Sequence, residues 1–302
     1  MTNTIAILNP AAGRGAAGRM APQIESSLRK CGLDFDLVTT TAPGHARALA
    51  HDAALQGREL VTAIGGDGTA NEVLNGLMQA QGGADRTAMG VVPIGTGNDF
   101  AFGAGIPIDV EKACRVIARG ENKIFDVGRV QAENEEPLYF GNGVGIGFDA
   151  AVVIETHKVH RLRGFLLYLA GIFRTIAFYY KAPLVRVRID GQEIVQESMM
   201  VSTMNGHRLG GGFNIAPGSK MDDGVFDLCV TSKVSRPQML GFVPRFMRGT
   251  HVTDARVTMF QGRKVTVESD SPWASHVDGD LYGVGAQRFD MELLPQRLRL
   301  VC

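Results

Sequence analysis

The residues with the clearest chemical potential lie in a glycine-rich loop, residues 65–72, that follows a predicted strand over residues 60–64. Thr69 and Glu72 have the T-x-x-E spacing of a capping box, so the sequence predicts a helix that begins here. Glycines ahead of a helix leave backbone N–H groups bare, and together with the helix dipole they favour phosphate oxygens. Asp67 lies inside this anion site, and a carboxylate among phosphates is unfavourable unless a cation lies between them. The pattern therefore indicates Mg²⁺ bound with a polyphosphate. The alternative is an aspartate that only caps a turn.

A loop of the same kind, residues 95–99, follows the next predicted strand and contains glycine, threonine, asparagine and aspartate. Because ligands of parallel sheets bind at the carboxyl ends of the strands, the two loops are expected to line one crevice. The Walker pattern GxxxxGK[ST] and the HRD signature of protein kinases are absent from the sequence. Any nucleotide would therefore be held by another scheme.

The loop after the first predicted strand carries Gly13, Gly15 and Gly18 with the GxGxxG spacing of a dinucleotide site. Such a site also needs an acidic residue at the end of the second strand to hold the ribose. Asp34 and Asp36 lie at the start of that strand instead. Three interpretations stay open: a dinucleotide loop, a plain glycine-rich turn, and a phosphate-facing loop of another family.

The elements that would position these loops follow from the periodicity of apolar residues. Up to residue 128, predicted strands (5–8, 35–39, 60–64 and 89–93) alternate with predicted helices (19–30, 45–55 and 71–79). This order implies a parallel sheet covered on both faces. Beyond residue 128 the sequence is mainly strand-like. Two predicted helices, 165–180 and 237–247, interrupt the predicted strands, which are 138–140, 185–189, 199–204, 225–230, 252–259 and 264–267. The sequence therefore predicts an α/β domain over 1–128 and a mainly β domain over 129–302, whose last strand is a candidate to return to the first domain.

Composition narrows the class of protein. The chain has 302 residues, too many for one typical domain. Its 31 basic residues balance 31 acidic ones, so the net charge gives no indication of nucleic-acid binding. Its four cysteines are scattered without a CxxC pair, which fits a reducing cytosol rather than a disulfide or zinc framework. The start of the chain lacks the pattern of a signal peptide. The most apolar stretch, 165–180, contains Arg174 and is shorter than the roughly 20 residues of a membrane span. We therefore expect a cytoplasmic protein.

The sequence resembles the diacylglycerol kinase catalytic domain family, which includes bacterial lipid kinases, eukaryotic diacylglycerol kinases and sphingosine kinases. The resemblance covers nearly the whole chain, in the family's order. Its segments are NPAAGRG (9–15), GGDGTANEV (65–73), PIGTGNDFA (93–101), DVG (126–128), GNGVGIGFDA (141–150), GGGFNIAPGSKMDDGVFDL (210–228) and VDGD (277–280). It implies an ATP- and Mg²⁺-dependent lipid kinase with a phosphofructokinase- or NAD kinase-like first domain and a β-sandwich-like second domain.

The resemblance also implies site residues. The nucleotide-binding residues would be Thr40, Gly65, Gly66, Asp67, Gly68, Thr69, Asn71, Glu72, Thr96 and Asn98. Carboxylates around a metal and water network would be Asp67, Asp99 and Asp126. A second, structural Mg²⁺ site would use the Asp223 carboxylate and the carbonyl groups of Lys220 and Val225, with a plain β-turn as the alternative.

The closing motif of the family is usually DGE, and its last carboxylate resembles the proton acceptor for the substrate hydroxyl. Here the motif is Asp278-Gly279-Asp280, so Asp280 keeps the chemistry with one methylene less reach, and Asp278 is a second candidate. A turn with two solvated aspartates is the alternative.

The lipid substrate is implied mainly by the resemblance. Lys158, Arg161 and Arg163 precede the apolar run 165–178, a combination that suits an anionic membrane surface, although a buried core helix fits the same pattern. We therefore expect a membrane lipid and a peripheral membrane surface as partners, and a homodimer stays open. The rival interpretations are an NAD kinase-like or other small-molecule kinase, against which the VDGD end and segment 210–224 argue, and a non-catalytic lipid or nucleotide sensor.

Overall fold

The structure is a computed structural model that describes residues 3–159, 162 and 164–302. It divides into two compact units. The first unit extends to Val127 and also includes Pro295–Cys302, and the second unit is Gly128–Leu294. The chain passes from the first unit to the second within one strand and returns within another.

The first unit is built on a parallel sheet covered by helices. Its strands are β1 (Thr4–Leu8), β2 (Asp36–Thr39), β3 (Leu60–Gly65) and β4 (Ala88–Pro93), in the order β2-β1-β3-β4. Its helices are α1 (Ala12–Lys30), α2 (His45–Leu55), α3 (Asp67–Gln79), α4 (Gly83–Arg86), α5 (Asp99–Gly103) and α6 (Val110–Arg119). Strands β1, β3 and β4 are buried along their whole length, as both faces of such a sheet require. The predicted α/β fold is confirmed.

The start of α3 differs from the prediction, and the predicted capping box is wrong. The helix begins at Asp67 with Gly66 as its N-cap, and no side chain caps it. Glu72 instead accepts hydrogen bonds from the backbone N–H groups of Gly44 (2.8 Å) and Ala46 (3.0 Å), at the start of α2. The Glu72 carboxylate therefore satisfies N–H groups that a helix start leaves without partners.

Replacing Glu72 by alanine is expected to lower the free energy of unfolding of the first unit by about 1–2 kcal/mol, the usual cost of a lost helix cap. Glu72→Gln should cost less, because its amide oxygen still accepts one of the two bonds. The control is Glu25→Ala, which removes an exposed ion pair to Arg29 and should cost less than about 0.5 kcal/mol. Urea unfolding followed by circular dichroism compares the variants, and equal losses for Glu72→Ala and Glu25→Ala would contradict the capping role.

The second unit consists mainly of antiparallel strands. They are β5 (Asn122–Ala132), β6 (Leu138–Phe140), β7 (Gly143–Gly147), β8 (Leu184–Ile189), β9 (Gln192–Met204), β10 (Phe226–Ser232), β11 (Val257–Gly262), β12 (Lys264–Val277) and β13 (Asp280–Val301). Strands β5 and β13 are the two that cross between the units. The order β11-β10-β9-β7-β12-β13 runs across the sheet, with β8 paired to β9 and β12. The prediction of a mainly β second domain is confirmed.

In the described part of the second unit, the helices α7 (Phe148–His157), α8 (Gly164–Phe178) and α9 (Arg236–Arg248) pack on this framework. The predicted strand 252–259 is wrong in its first half, because Thr250–Thr253 forms a 3₁₀ turn after α9 and β11 begins only at Val257. Asp254 explains the late start, since its carboxylate accepts the N–H of Arg256 and thereby forms a local turn. Among the described residues, no helix combines the length and the apolar character needed to span a membrane.

Candidate active site

Three loops at the carboxyl ends of β1, β3 and β4 are in contact within the first unit. The Asn9 amide donates to the Thr69 hydroxyl at 3.0 Å, which joins the first loop to the second. A Cβ atom placed on Gly66 would lie 3.0 Å from the Cα atom of Gly95, so the second and third loops touch through bare backbone. A Cβ atom on Gly13 would lie 3.2 Å from the carbonyl oxygen of Ile94. Glycine is needed where these backbones approach each other.

The carboxylates of Asp67 and Asp99 lie close to Gly97 in these loops. Asp67 Oδ1 accepts the N–H of Phe100 at 3.1 Å. A Cβ atom on Gly97 would lie 3.1 Å from Asp67 Oδ2 and 3.0 Å from Asp99 Oδ2. Two like charges so near each other are unfavourable unless a cation neutralises them. Mg²⁺ is usually held by one or two carboxylates together with phosphate oxygens and water, so this pair fits the predicted cation.

Asp126, the third predicted carboxylate, has a different partner. It is buried in β5, and its Oδ1 accepts the N–H of Gln296 at 2.7 Å. Gln296 has a positive φ of 54°, so this bond stabilises an unfavourable backbone conformation. In the part of the chain that the structure describes, no three His, Cys, Asp or Glu side chains form a group that could hold a metal ion. The role of Asp126 beside a metal stays a prediction.

The other predicted nucleotide-binding residues differ in their exposure and in the hydrogen bonds that their side chains already form. Thr96 is exposed, whereas Thr40 and Asn98 are buried. The Asn98 amide donates to the Gly95 carbonyl at 3.3 Å. Glu72 is engaged by α2, and the Asn71 side chain accepts from Asn75 at 3.0 Å. The side chains of Glu72 and Asn71 therefore already form hydrogen bonds within the first unit. Their contact with a nucleotide stays a prediction.

The two aspartates of the VDGD segment are not equivalent. Asp278 is buried, and its carboxylate accepts three backbone N–H groups, from Gly141 (2.9 Å), Asn142 (3.0 Å) and Gly143 (2.8 Å). Asp280 is exposed at the start of β13. The alternative of two solvated aspartates is therefore wrong. Asp278 has few lone pairs left for a substrate proton, so the geometry favours Asp280 as the proton acceptor.

The predicted second metal site is a hydrogen-bonded turn. Asp223 is exposed, and its Oδ1 accepts the N–H of Val225 at 3.3 Å, as in an Asx turn. Arg263 Nε donates to the carbonyl group of Gly224 at 2.9 Å, so a cationic side chain already lies at this turn. The roles of Lys220, Asp223 and Val225 as metal ligands stay predictions.

A buried polar cluster near the VDGD segment went unnoticed in the sequence. Asp149 Oδ2 accepts the Ser202 hydroxyl at 2.7 Å and lies 3.9 Å from His276 Nε2. Burial raises the pKa of Asp149 and lowers the pKa of His276, although the neighbouring charge of Asp149 opposes the shift of His276. Two features of the sequence could have indicated this cluster: Asp149 lies at the start of an apolar helix, and His276 lies two residues before Asp278.

A narrow apolar cavity lies between α7, α8 and α9 and the strands β9 and β10. It encloses about 580 Å³ of empty space, part of it open to solvent. Ile172 of α8 and Met239 and Phe242 of α9 are among the lining residues, and Asp149 is the one carboxylate among those the structure describes. Small-molecule sites are likewise mostly apolar with few polar groups. The cavity can therefore take a slender apolar ligand with one polar end.

Comparisons with known proteins agree on the class of enzyme. Residues 3–130 match the diacylglycerol kinase catalytic domain, and residues 142–302 match the YegS C-terminal NAD kinase beta sandwich-like domain. The chain is 30% identical to a diacylglycerol kinase of Bacillus subtilis (strain 168) over 281 residues, which cover 92% of this chain and 89% of the relative. It is 28% identical to a probable lipid kinase YegS-like of Citrobacter koseri, over 98% of this chain and 94% of the relative.

The fold also matches solved structures. A crystal structure of a diacylglycerol kinase from Bacillus anthracis superposes with a TM-score of 0.74 at 22% identity, over 99% of this chain and 96% of that one. At this identity the likeness shows the fold alone. It supports the two-domain architecture expected from the sequence.

Proposed function

Because the chain belongs to the diacylglycerol kinase family and is a lipid kinase, we propose that it transfers the γ-phosphate of ATP to a hydroxyl group of diacylglycerol or a related membrane lipid. The observation that carries the lipid part of the proposal is the apolar cavity with Asp149 on its wall. A soluble sugar or a dinucleotide would need a polar site, whereas an acyl chain needs an apolar one.

Phosphoryl transfer requires positioning, neutralisation of charge and a group that orients or deprotonates the nucleophile. The bare backbone around Gly66 and Gly95 would hold the phosphate groups of ATP. Mg²⁺ held by Asp67 and Asp99 would neutralise the charge on the phosphate oxygens. Asp280 would accept the proton of the lipid hydroxyl, and the hydroxyl oxygen would form a bond to the γ-phosphorus of ATP. At the same time, the bond between the γ-phosphorus and the oxygen that bridges it to the β-phosphate would break, and ADP would leave.

Labelled ATP offered with diacylglycerol, phosphatidylglycerol, sphingosine and ceramide tests the proposal directly. We expect label on at least one of these lipids, and on none in the absence of Mg²⁺. Transfer to NAD instead would favour the NAD kinase-like alternative. Tight ATP or lipid binding without any transfer would favour a non-catalytic sensor.

Filling the cavity is expected to raise KM for the lipid by about 10-fold, because each methylene that a substrate can no longer bury costs about 1 kcal/mol or more. Ile172→Trp places an indole in the cavity from α8, whereas Leu55→Trp changes an exposed residue of α2 and is the matched control. The KM for ATP should change in neither variant. A folded Ile172→Trp enzyme with the wild-type lipid KM, for long and short acyl chains alike, would show that the lipid binds elsewhere.

A peripheral membrane surface is the second part of the proposal. Among the described residues, three large hydrophobic side chains of α8 are exposed, namely Leu166, Phe173 and Phe178, and Leu240 and Met247 are exposed on α9. The two helices together carry four arginines and no acidic residue. Exposed apolar groups beside basic ones suit an anionic bilayer. The predicted residues Arg161 and Arg163 lie outside the described part of the chain, and Lys158 is paired with Glu155 at 2.5 Å.

Phe173→Asp is expected to weaken binding to vesicles of phosphatidylglycerol by about 10-fold or more, because a phenyl ring that enters the bilayer contributes roughly 1.5–3 kcal/mol. The control, Leu55→Asp, changes an exposed leucine of the first unit and should leave binding unchanged. Co-sedimentation at low and high salt measures both, and vesicles of phosphatidylcholine test the role of the arginines. Equal binding by Phe173→Asp and the wild type would exclude α8 as the docking helix.

A further inference from the structure

The turn that carries the proposed base is a two-residue hairpin. Val277 of β12 pairs with Asp280 of β13, and the two residues between them, Asp278 and Gly279, have positive φ angles of 48° and 94°. Type I′ turns of this kind match the twist of the flanking strands but need residues that tolerate positive φ. Asp-Gly is one of the residue pairs that this turn favours. The hydrogen bonds to the turn add to this preference and fix the place of Asp280.

Two groups hold this turn from inside the second unit. One is the Asp278 carboxylate, with its three bonds to the segment 141–143. The other is His276, whose Nδ1 accepts the N–H of Gly279 at 3.3 Å. The histidine is 1% exposed, so its ring is fixed by packing rather than by water.

The far side of the His276 ring is also confined. Its Nε2 lies 3.9 Å from Asp149 Oδ2, and Asp149 is itself fixed by Ser202 and by the N–H of Ala150 at 2.9 Å. A Cβ atom on Gly145, which pairs with His276 across the sheet, would lie 2.3 Å from Nε2 and 2.2 Å from Asp149 Oδ2. Any larger residue at position 145 would displace the ring or the carboxylate.

The hydrogen bond from Gly279 also fixes the protonation state of the ring. A backbone N–H can only donate, so Nδ1 carries a lone pair and the single ring proton lies on Nε2, towards Asp149. The charged groups that face the ring are Asp149 from α7 and Asp278 and Asp280 from the turn. All three favour a protonated ring, yet burial outweighs them and lowers the pKa of His276 below the ordinary 6.5. The neutral acceptor is therefore the form present at neutral pH.

We propose that His276 is a positioning residue for phosphoryl transfer, which fixes the hairpin turn through Gly279 and so sets the place of the Asp280 carboxylate. The inference rests on the proposed role of Asp280. In this scheme His276 neither binds the nucleotide nor accepts the transferred proton. Its effect should therefore fall on kcat rather than on either KM.

The two amide variants of His276 separate positioning from packing. The oxygen of asparagine reaches the place of Nδ1 and can accept the Gly279 N–H, whereas the amide of glutamine reaches the place of Nε2 and leaves that N–H without its acceptor. We expect His276→Gln to lower kcat by about 10- to 100-fold, as a misplaced catalytic group does. His276→Asn should stay within about threefold of the wild type, and KM for ATP and for lipid should change little in either.

The dependence of kcat on pH distinguishes the proposed hydrogen bond from a role of His276 in packing alone, because packing alone would not change that dependence. In the wild type, kcat should hold through pH 6.5 and fall at lower pH, because a protonated ring presents an N–H to the Gly279 N–H. In His276→Asn the acid-side fall should shift to the lower range of a carboxylate. An unchanged profile would overturn the proposal.

A double-mutant cycle tests whether His276 acts through Asp280. If it does, His276→Gln should cost far less kcat in an Asp280→Asn background than in the wild type. Full additivity would overturn the proposal.

An activity-independent measurement separates this inference from the function on which it rests. Hydrogen exchange of the Gly279 amide, followed by ¹⁵N NMR, should be slow in the wild type and His276→Asn and fast in His276→Gln. If protection follows this pattern but no variant phosphorylates lipid, the proposed function fails while the hydrogen bond stands. If Gly279 is equally protected in all three proteins, or if His276→Gln retains wild-type kcat, His276 does not position the turn.

Discussion

Replacing Asp67 by asparagine is expected to lower kcat for lipid phosphorylation by about 10²- to 10³-fold, the equivalent of several kcal/mol of lost metal-assisted charge stabilisation. The asparagine oxygen can still accept the Phe100 N–H that Asp67 Oδ1 accepts at 3.1 Å. The loop should therefore keep its conformation and lose only its charge. Thermal unfolding of the variant should stay close to that of the wild type.

Three comparisons make the Asp67 experiment specific. Asp99→Asn should also impair turnover, because its carboxylate lies by the same Gly97. Asp52→Asn, on the exposed side of α2, should have no effect. Raising the Mg²⁺ concentration should restore part of the activity of Asp67→Asn. Normal turnover of Asp67→Asn at ordinary Mg²⁺ concentrations would show that the cation is held elsewhere.

Asp280→Asn is expected to lower kcat by roughly 10²- to 10⁴-fold, the usual contribution of a general base. Asparagine keeps the shape of the side chain but cannot accept the proton, and KM for ATP should barely change. Asp280→Glu restores the family's usual residue at this position. If the reach of the side chain limits the wild type, this variant should match or exceed its activity.

Asp278→Asn should act differently, because Asp278 holds backbone rather than substrate. Its amide NH₂ group would face an N–H donor that now binds a carboxylate oxygen, at a cost of about 1–3 kcal/mol for the group left unsatisfied. We therefore expect a lower melting temperature together with reduced kcat, whereas Asp280→Asn should melt like the wild type. A fully folded and inactive Asp278→Asn beside an active Asp280→Asn would show that the base was assigned to the wrong aspartate.

The sheet of the first unit and its loops could be predicted because their signals are local. The predicted strands that correspond to β1, β3 and β4 are short apolar runs, and the loop after each of the three is marked by glycines. Parallel neighbours end at one edge, so contact between Gly66 and Gly95 follows from strand order. The second and third loops, which the sequence placed around a nucleotide, lie together for the same reason.

The groups that could not be predicted depend on contacts between residues far apart in sequence. Glu72 has the spacing of a capping box for its own helix, but its carboxylate binds the start of α2, because that helix packs beside it and offers N–H groups without partners. Asp149 and His276 lie on different elements and meet only because Gly145 leaves room for both. The periodicity of apolar residues describes one helix or strand at a time and carries no information about contacts between side chains of different elements.

The return of β13 into the first unit has a consequence for how the protein is made. Leu298 and Leu300 are fully buried there, and Leu300 pairs with Met89 of β4. The entire second unit is synthesised between these two pairing partners. The first unit therefore cannot complete its sheet while the ribosome is still translating the second, and β4 keeps an open edge throughout that time. Such an edge can pair with other strands, so we expect the nascent chain to depend on chaperones until Leu300 emerges.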